Sequence, residues 1–185
     1  YKGSSPCPKD FDEYWEDALA EMNAINPMVE IARKEFPSKV CDMYDMFYTG
    51  TKNARIHAKL AVPKNAEGKM PAVICFHGLS GRADEWTALI KYASQGYVVA
   101  YMDVRGQGGL SEDVGGLKGT TYPTPFMRGV DGEKHDLLMR DVYLDTALLA
   151  KIVMGFDYVD ETRVHLTGYS MGGYGTWALA TLYPN

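Results

Sequence analysis

The hydrophobic positions near the start of the chain repeat with the period of a helix. Residues 10–25 carry apolar side chains at helical spacing: Phe11, Trp15, Ala18, Leu19 and Met22. The pattern ends near Asn26-Pro27, because a proline does not continue a helix. We predict an amphipathic helix that packs on the domain, and docking of a partner is the alternative use of its apolar face.

The next segments have the pattern of strands. One extended stretch covers residues 29–36 and continues through 40–48, and a second covers 55–62 and ends at Pro63. Between them, Thr49-Gly50-Thr51-Lys52-Asn53 has the composition of a hairpin turn. We therefore predict an antiparallel start to a sheet.

After Gly68, apolar strands alternate with helices. We predict strands buried on both faces over residues 71–76, 97–102 and 163–167, and helices over residues 84–94, 136–154 and 172–182. This alternation produces right-handed crossovers and a parallel sheet. The predicted fold class is α/β, with a mostly parallel sheet that starts antiparallel and is flanked by helices. Residues 105–132 are rich in glycine and have little periodicity, which is typical of a functional loop.

Length and charge exclude some classes of function. The 185 residues suffice for one domain with a core, to which residues 1–27 add a helical extension. The 19 basic and 24 acidic residues give a formal charge of -5 without a basic stripe, which argues against nucleic-acid binding. No apolar run reaches the roughly 20 residues that span a bilayer, so no membrane partner is expected.

The start of the chain leaves its localisation open. The first residues lack the basic end and apolar stretch of a signal peptide, which slightly favours the cytoplasm. The chain begins with Tyr1 and not with Met, so an upstream leader that directs secretion could have been removed.

The three cysteines are widely spaced. Cys75 lies in an apolar run, and we expect a buried thiol. A disulfide between Cys7 and Cys41 is an alternative that the spacing does not support. No pair of Cys or His residues has the spacing of metal ligands, so no metal site is predicted.

The run Gly168-Tyr169-Ser170-Met171-Gly172 matches the G-x-S-x-G nucleophile elbow, and it lies between a predicted strand and a predicted helix, as the motif requires. The sharp turn strains the backbone of the serine, so its neighbours must be small, and Gly168, Gly172 and Gly173 meet that condition. We predict Ser170 as the catalytic nucleophile and the backbone N–H of Met171 as an oxyanion donor. A glycine-rich turn with an incidental serine is the alternative.

A second motif, Phe76-His77-Gly78-Leu79-Ser80-Gly81, follows a buried strand. A His-Gly turn in this position supplies the second oxyanion N–H, here from the backbone of Leu79. We interpret His77 and Gly78 as supporting residues. A catalytic base is the alternative role of His77.

A third motif, Asp103-Val104-Arg105-Gly106-Gln107-Gly108-Gly109, follows the next predicted strand. We predict that Arg105 and Gln107 brace neighbouring loops through charge-assisted hydrogen bonds. Phosphate binding is the alternative, but the run lacks both the G-x-x-x-x-G-K-[ST] pattern and the glycine spacing of a dinucleotide loop.

The other histidines are not predicted to be catalytic. His57 lies in an early strand, and His135 lies in a loop before a long helix. His165 lies in the strand of the nucleophile, where its side chain points to a face of the sheet.

Five stretches carry a resemblance to a known family: Asp10-Phe11-Asp12-Glu13-Tyr14-Trp15, Pro71-Ala72-Val73-Ile74-Cys75-Phe76-His77-Gly78, Arg105-Gly106-Gln107-Gly108, Arg140-Asp141-Val142-Tyr143-Leu144-Asp145 and Gly168-Tyr169-Ser170-Met171-Gly172-Gly173. Nearly end to end, the sequence resembles the acetyl xylan esterase / cephalosporin-C deacetylase family of α/β-hydrolases. The R-G-Q-G run, together with the downstream elbow, is the most specific part.

The resemblance implies a serine carboxylesterase that removes acetyl groups from sugars and small molecules, with neither metal nor cofactor. It implies Ser170 as nucleophile, Leu79 and Met171 as backbone oxyanion donors, and assembly into a homo-oligomer. The family has Gln where this chain has Met171, a change that a backbone donor tolerates. It has Tyr where this chain has Leu79, which points to a different acyl or leaving-group preference.

A serine nucleophile needs a base and an acid that orients the base. In α/β-hydrolases both follow the serine along the chain, yet residues 171–185 contain no His, Asp or Glu. We therefore expect residues 1–185 to be the N-terminal portion of a single α/β-hydrolase domain, incomplete at its C-terminus and without its later strands. This chain alone is expected to be inactive until a C-terminal segment or another copy completes it.

Two other functions stay open. A peptidase or a dienelactone-type hydrolase could use the same fold, because fold does not determine chemistry. A catalytically inactive fragment that acts as a binding or assembly module is the alternative from another class.

Overall fold

The computed structural model describes residues 4–64, 66–114 and 127–183, and these residues form one sheet covered by helices. The six strands are β1 (Glu30–Lys34), β2 (Cys41–Thr49), β3 (Arg55–Pro63), β4 (Met70–Phe76), β5 (Val98–Met102) and β6 (Val159–Gly168). The four α-helices are α1 (Phe11–Ala24), α2 (Trp86–Ala93), α3 (Leu138–Met154) and α4 (Met171–Leu182).

The strands are arranged in the order β1-β2-β3-β5-β4-β6. The pairs β1–β2, β2–β3 and β3–β5 are antiparallel, whereas β4 lies between β5 and β6 and is parallel to both. Four strands, β2, β4, β5 and β6, thus run in the same direction. The predicted α/β class and the antiparallel start of the sheet are confirmed.

Strand β4 is buried on both faces, as its continuous apolar run predicts. Ala72, Ile74 and Phe76 pack into the core under α1, α3 and α4, while Val73 and Cys75 pack into the core under α2. Alternate side chains of a strand point to opposite faces, so one apolar run supplies both cores. The C-terminal end of β4 lies between those of β5 and β6, and the functional motifs follow these strand ends.

The prediction of a third strand buried on both faces is wrong for β6 in the part of the chain that the structure describes. β6 is longer than predicted, and its side chains beyond Val159 are exposed or only partly buried. The reason is topological, since β6 pairs with β4 on one side and has no described strand on the other.

Several element ends differ from the prediction by a few residues. The first extended stretch is divided into two antiparallel strands, β1, whose side chains are all exposed, and β2. The extended backbone of Leu137, with φ -64° and ψ 120°, separates α3 from a short 3-10 turn over Lys134–Asp136. Of the predicted glycine-rich loop, residues 115–126 lie outside the described residues.

The cysteines are all free thiols, so the Cys7–Cys41 disulfide considered above is not formed. Cys41 and Cys75 are buried and Cys7 is exposed. Burial, with a smaller contribution from Asp84, raises the pKa of Cys75 to about 12, which makes it an inert core thiol. Among the described helices, none combines the length and the apolar character that crossing a bilayer requires.

Candidate active site

Ser170 occupies the sharp turn between β6 and α4. Its backbone has φ 54° and ψ -117°, a combination that residues with a side chain rarely adopt. The N–H of Gly173 donates to the carbonyl of Ser170 at 2.9 Å, so the helix begins directly after the serine. Ser170 is exposed. Met171 is the first residue of α4, and the N–H groups of a first helical turn lack partners within the helix.

Two glycines allow this turn to pack closely on neighbouring backbone. A Cβ on Gly168 would collide with the carbonyl of Gly172, and a Cβ on Gly172 would collide with the carbonyls of Phe76 and His77. The N–H of Tyr169 also donates to the carbonyl of Phe76 at 3.3 Å. The elbow is therefore held against the loop that follows β4.

His77 begins that loop and is buried, with both ring nitrogens occupied. The N–H of Val104 donates to Nε2 at 3.0 Å, so Nδ1 carries the proton and donates to the carbonyl of Gly78 at 2.7 Å. Burial lowers the pKa of His77, and the hydrogen bond to Gly78 offsets this effect only in part. His77 is thus a neutral residue that shapes the loop, and neither of its nitrogens is available to Ser170.

Gln107 and Gly108 brace the same loop from the other side. Oε1 of Gln107 accepts a hydrogen bond from the N–H of Ser80 at 2.6 Å, and the N–H of Gly108 donates to the carbonyl of Gly81 at 2.8 Å. A Cβ on Gly108 would lie 2.9 Å from that carbonyl oxygen, so the close approach requires glycine. These contacts fix the backbone after Leu79, the predicted oxyanion donor, and the hydrogen bond from His77 to Gly78 fixes it before.

Arg105 joins the R-G-Q-G run to the long helix α3. Its Nε and Nη2 contact the two carboxylate oxygens of Asp145 at 2.7 and 2.9 Å, and Nη2 also donates to Oγ1 of Thr51 at 2.8 Å. Its Nη1 lies 3.7 Å from Oδ2 of Asp141, which Nζ of Lys52 contacts at 2.8 Å. Two cations and two carboxylates therefore meet in one buried network.

The charges of this network outweigh the effect of burial for Arg105 but only partly offset it for Asp145, whose pKa burial raises above its ordinary value. Burial acts to lower the pKa of Arg105, but the carboxylates of Asp145 and Asp141 raise it above its ordinary value. Arg105 is thus a charged, fully buried residue that joins the R-G-Q-G run to α3 and to Thr51, and its bracing of the loops near the site stays a prediction.

None of the four histidines contacts Ser170, and all four lie in the described ranges. His57 is buried between Asp45 and Asp103. His135 packs against Tyr14, and His165 packs against Tyr97. Within residues 4–64, 66–114 and 127–183, the hydroxyl of Ser170 has no hydrogen-bond partner.

Sequence reasoning did not find the partners of Arg105 and His57. Asp141 and Asp145 are one helical turn apart on α3, among mostly apolar residues, which is the signal that indicates a buried cation beside them. Asp103 directly follows a buried strand, yet nothing in the local pattern points to His57. The pairing joins positions 46 residues apart.

Comparisons with known proteins agree with this geometry. The family model for acetyl xylan esterase matches residues 1–185. Acetyl xylan esterase 1 from Thermoanaerobacterium sp. JW/SL YS485 is 47% identical with a TM-score of 0.94, over 100% of this chain and 58% of its own. An acetyl xylan esterase from Paenibacillus sp. R4 is 29% identical with a TM-score of 0.91, over 98% of this chain and 58% of its own.

A more distant relative shows the fold alone. An S-formylglutathione hydrolase from Agrobacterium tumefaciens is 17% identical with a TM-score of 0.60, over 84% of this chain and 58% of its own. The chain thus spans about 58% of the length of these solved structures. Because the family model covers every residue and a solved member is 47% identical, this chain belongs to the acetyl xylan esterase family.

Proposed function

We propose that this chain carries the nucleophile of a serine esterase that removes acetyl groups from acetylated sugars or small molecules. The observation that carries the proposal is the strained, exposed Ser170 at the start of α4, held against the loop of Leu79. Two relatives of high structural similarity are acetyl xylan esterases. In this proposal Ser170 is the nucleophile, and the N–H groups of Leu79 and Met171 form the oxyanion hole.

The reaction proceeds by two acyl transfers. Oγ of Ser170 bonds to the acetyl carbonyl carbon while a base takes the hydroxyl proton, and the carbonyl electron pair moves to oxygen. The two N–H groups stabilise that oxyanion, and each such donor contributes about 2.7–4 kcal/mol to transition-state stabilisation. The bond to the sugar oxygen breaks, the oxygen takes the proton, and acetyl-Ser170 remains. Water then attacks this ester in the same way and releases acetate.

The base must come from outside the described residues. His77 and His57 have both ring nitrogens occupied, and His135 and His165 pack elsewhere. A further hydrolase segment, or another copy in a homo-oligomer, would supply it. We therefore propose that the 185 residues alone react slowly, because an unassisted serine is a poor nucleophile.

Labelling with a fluorophosphonate probe tests the assignment of Ser170. The 185-residue chain and the complete gene product are each treated with the probe, and Ser170→Ala is the control. We expect rapid labelling at Ser170 in the complete gene product and slow labelling in the chain. Rapid labelling at another residue would overturn the assignment.

Hydrolysis of an aryl acetate and of a peptide amide distinguishes the remaining alternatives. We expect the complete gene product to cleave the acetate and not the amide, and Ser170→Ala to abolish the cleavage. Cleavage of the amide at a similar rate would indicate a peptidase. A complete gene product that neither labels nor cleaves would be an inactive binding module.

A further inference from the structure

We infer that His57 is a positioning residue for the oxyanion loop, residues 77–83, and that it acts through the carboxylate of Asp103. The inference rests on the proposed function of that loop. His57 lies in β3 and contacts neither Ser170 nor Leu79. Its effect on catalysis would therefore be carried by the hydrogen bonds between β3, Asp103 and the loop.

His57 is fully buried between two carboxylates. Nδ1 lies 2.7 Å from Oδ2 of Asp103, and Nε2 lies 3.0 Å from Oδ1 of Asp45. The carboxylate of Asp103 only accepts hydrogen bonds, so Nδ1 of His57 donates to it. The ring also packs against Phe47, with the centroids 4.8 Å apart. The imidazole is thus held at a single orientation that points one N–H at Asp103.

Besides contacting His57, Asp103 accepts hydrogen bonds from two loops. Its Oδ1 accepts the N–H of Ala83 at 2.6 Å, and its Oδ2 accepts the N–H of Leu110 at 2.9 Å. Burial acts to raise the pKa of Asp103, but the hydrogen bonds from His57, Ala83 and Leu110 outweigh it and lower the pKa below its ordinary value. A Cβ on Gly109 would collide with the carboxyl group, so the loop closes tightly around it.

The two loops that Asp103 joins are those that fix Leu79. Ala83 ends the oxyanion loop, and Leu110 follows the segment whose Gln107 accepts from the N–H of Ser80 at 2.6 Å. The backbone of β3 secures the second loop further, because the N–H of His57 donates to Oγ of Ser111 at 2.8 Å. If the carboxylate of Asp103 rotates, the backbone moves both at Ala83 and at Leu110.

The two contacts of His57 differ in their surroundings, which makes them separable by mutation. Asp103 is buried, whereas the side chain of Asp45 is 24% exposed and lies 3.7 Å from Nζ of Lys34. The amide nitrogen of asparagine occupies nearly the position of Nδ1, and that of glutamine nearly the position of Nε2. His57→Asn therefore keeps the contact with Asp103, and His57→Gln keeps the contact with Asp45.

The test compares these two variants in the complete gene product with an aryl acetate as substrate. Loss of one oxyanion donor costs about 100- to 1,000-fold in kcat, and a displaced loop should cost part of that. We expect His57→Gln to lower kcat by about 10-fold or more at unchanged KM, and His57→Asn to stay within about threefold of the parent. Asp45→Asn should leave kcat unchanged. Equal kcat in the two His57 variants would overturn the inference.

A second measurement does not depend on activity. In the 185-residue chain, we expect His57→Gln to increase amide hydrogen exchange at Ser80, Ala83 and Leu110, and His57→Asn to leave it unchanged. This result does not depend on Ser170 being the nucleophile. The measurement therefore distinguishes failure of the inference about His57 from failure of the proposed function. If His57→Gln does not fold, Asp103→Asn serves instead, with lower kcat and unchanged KM expected. Unchanged kcat in Asp103→Asn would also overturn the inference.

Discussion

Arg105 and Asp145 form a two-point ion pair, with Nε to Oδ2 at 2.7 Å and Nη2 to Oδ1 at 2.9 Å, and both side chains are completely buried. The pair joins the R-G-Q-G run to the middle of α3. Removal of one partner from a buried pair leaves an unpaired charge in the core, which is far more costly than the loss of a surface pair. The pair therefore couples the position of the R-G-Q-G run to the stability of the fold.

We expect Arg105→Met to lower the free energy of unfolding by about 3–5 kcal/mol, because Asp145 and Asp141 lose their buried cation. Arg82→Met is the matched control, since Arg82 pairs with Glu85 at 3.1 Å and both side chains are largely exposed. The control should change stability by less than about 1 kcal/mol. Urea denaturation measures both, and similar losses in the two variants would contradict the structural role of the pair.

Gly172→Ala should disrupt the elbow, because its Cβ would meet the carbonyls of Phe76 and His77. Backbone atoms cannot move aside as the end of a flexible side chain can. We therefore expect the free energy of unfolding to fall by at least about 1–3 kcal/mol and fluorophosphonate labelling to be lost. Gly173→Ala is the control, because its Cβ would meet nothing within 4 Å. A neutral effect of Gly172→Ala would mean that the close approach is not required.

Ser170→Gly should be more stable than Ser170→Ala. The backbone of Ser170 has φ 54°, where any side chain is strained and glycine is not. The serine side chain makes no cap hydrogen bond to α4, so its removal sacrifices no such contact. Thermal or urea unfolding should show a difference of about 1 kcal/mol in favour of glycine. Equal stability of the two variants would indicate a relaxed turn, and neither variant should hydrolyse esters.

The neutral state of His77 predicts a pH dependence of stability. Burial lowers the pKa of His77 in the folded chain below its ordinary value of 6.5, so the unfolded chain binds the proton at higher pH. Neutral His77 therefore contributes fully to the free energy of unfolding above pH 6.5, and this contribution decreases as the pH falls from 6.5 toward the pKa of the folded chain. We compare unfolding at about pH 7.5 and about pH 5.5 in the parent and in His77→Gln. The parent should lose more stability on acidification, and equal losses would contradict a neutral His77.

Local sequence patterns determined most of the elements and the location of the elbow. Apolar runs predict β4 and β5 because a strand with helices on both faces needs no polar positions. Gly168 and Ser170 are readable from sequence because the constraint on them is steric and local, whereas the constraint on Gly172 comes from the distant carbonyls of Phe76 and His77. The same reasoning was wrong for β6, because the burial of a strand depends on the neighbours on both of its sides.

Tertiary structure alone decided which polar groups meet. Arg105 pairs with Asp145 across 40 residues, and His57 pairs with Asp103 across 46. Hydrophobic periodicity shows which face of an element is buried, but it carries no information about which charged side chains share that buried space. The order of the strands, and the close contacts that glycines such as Gly108 permit, determine which charged side chains become partners. The sequence therefore locates the proposed nucleophile, whereas the fold determines what holds its surroundings in place.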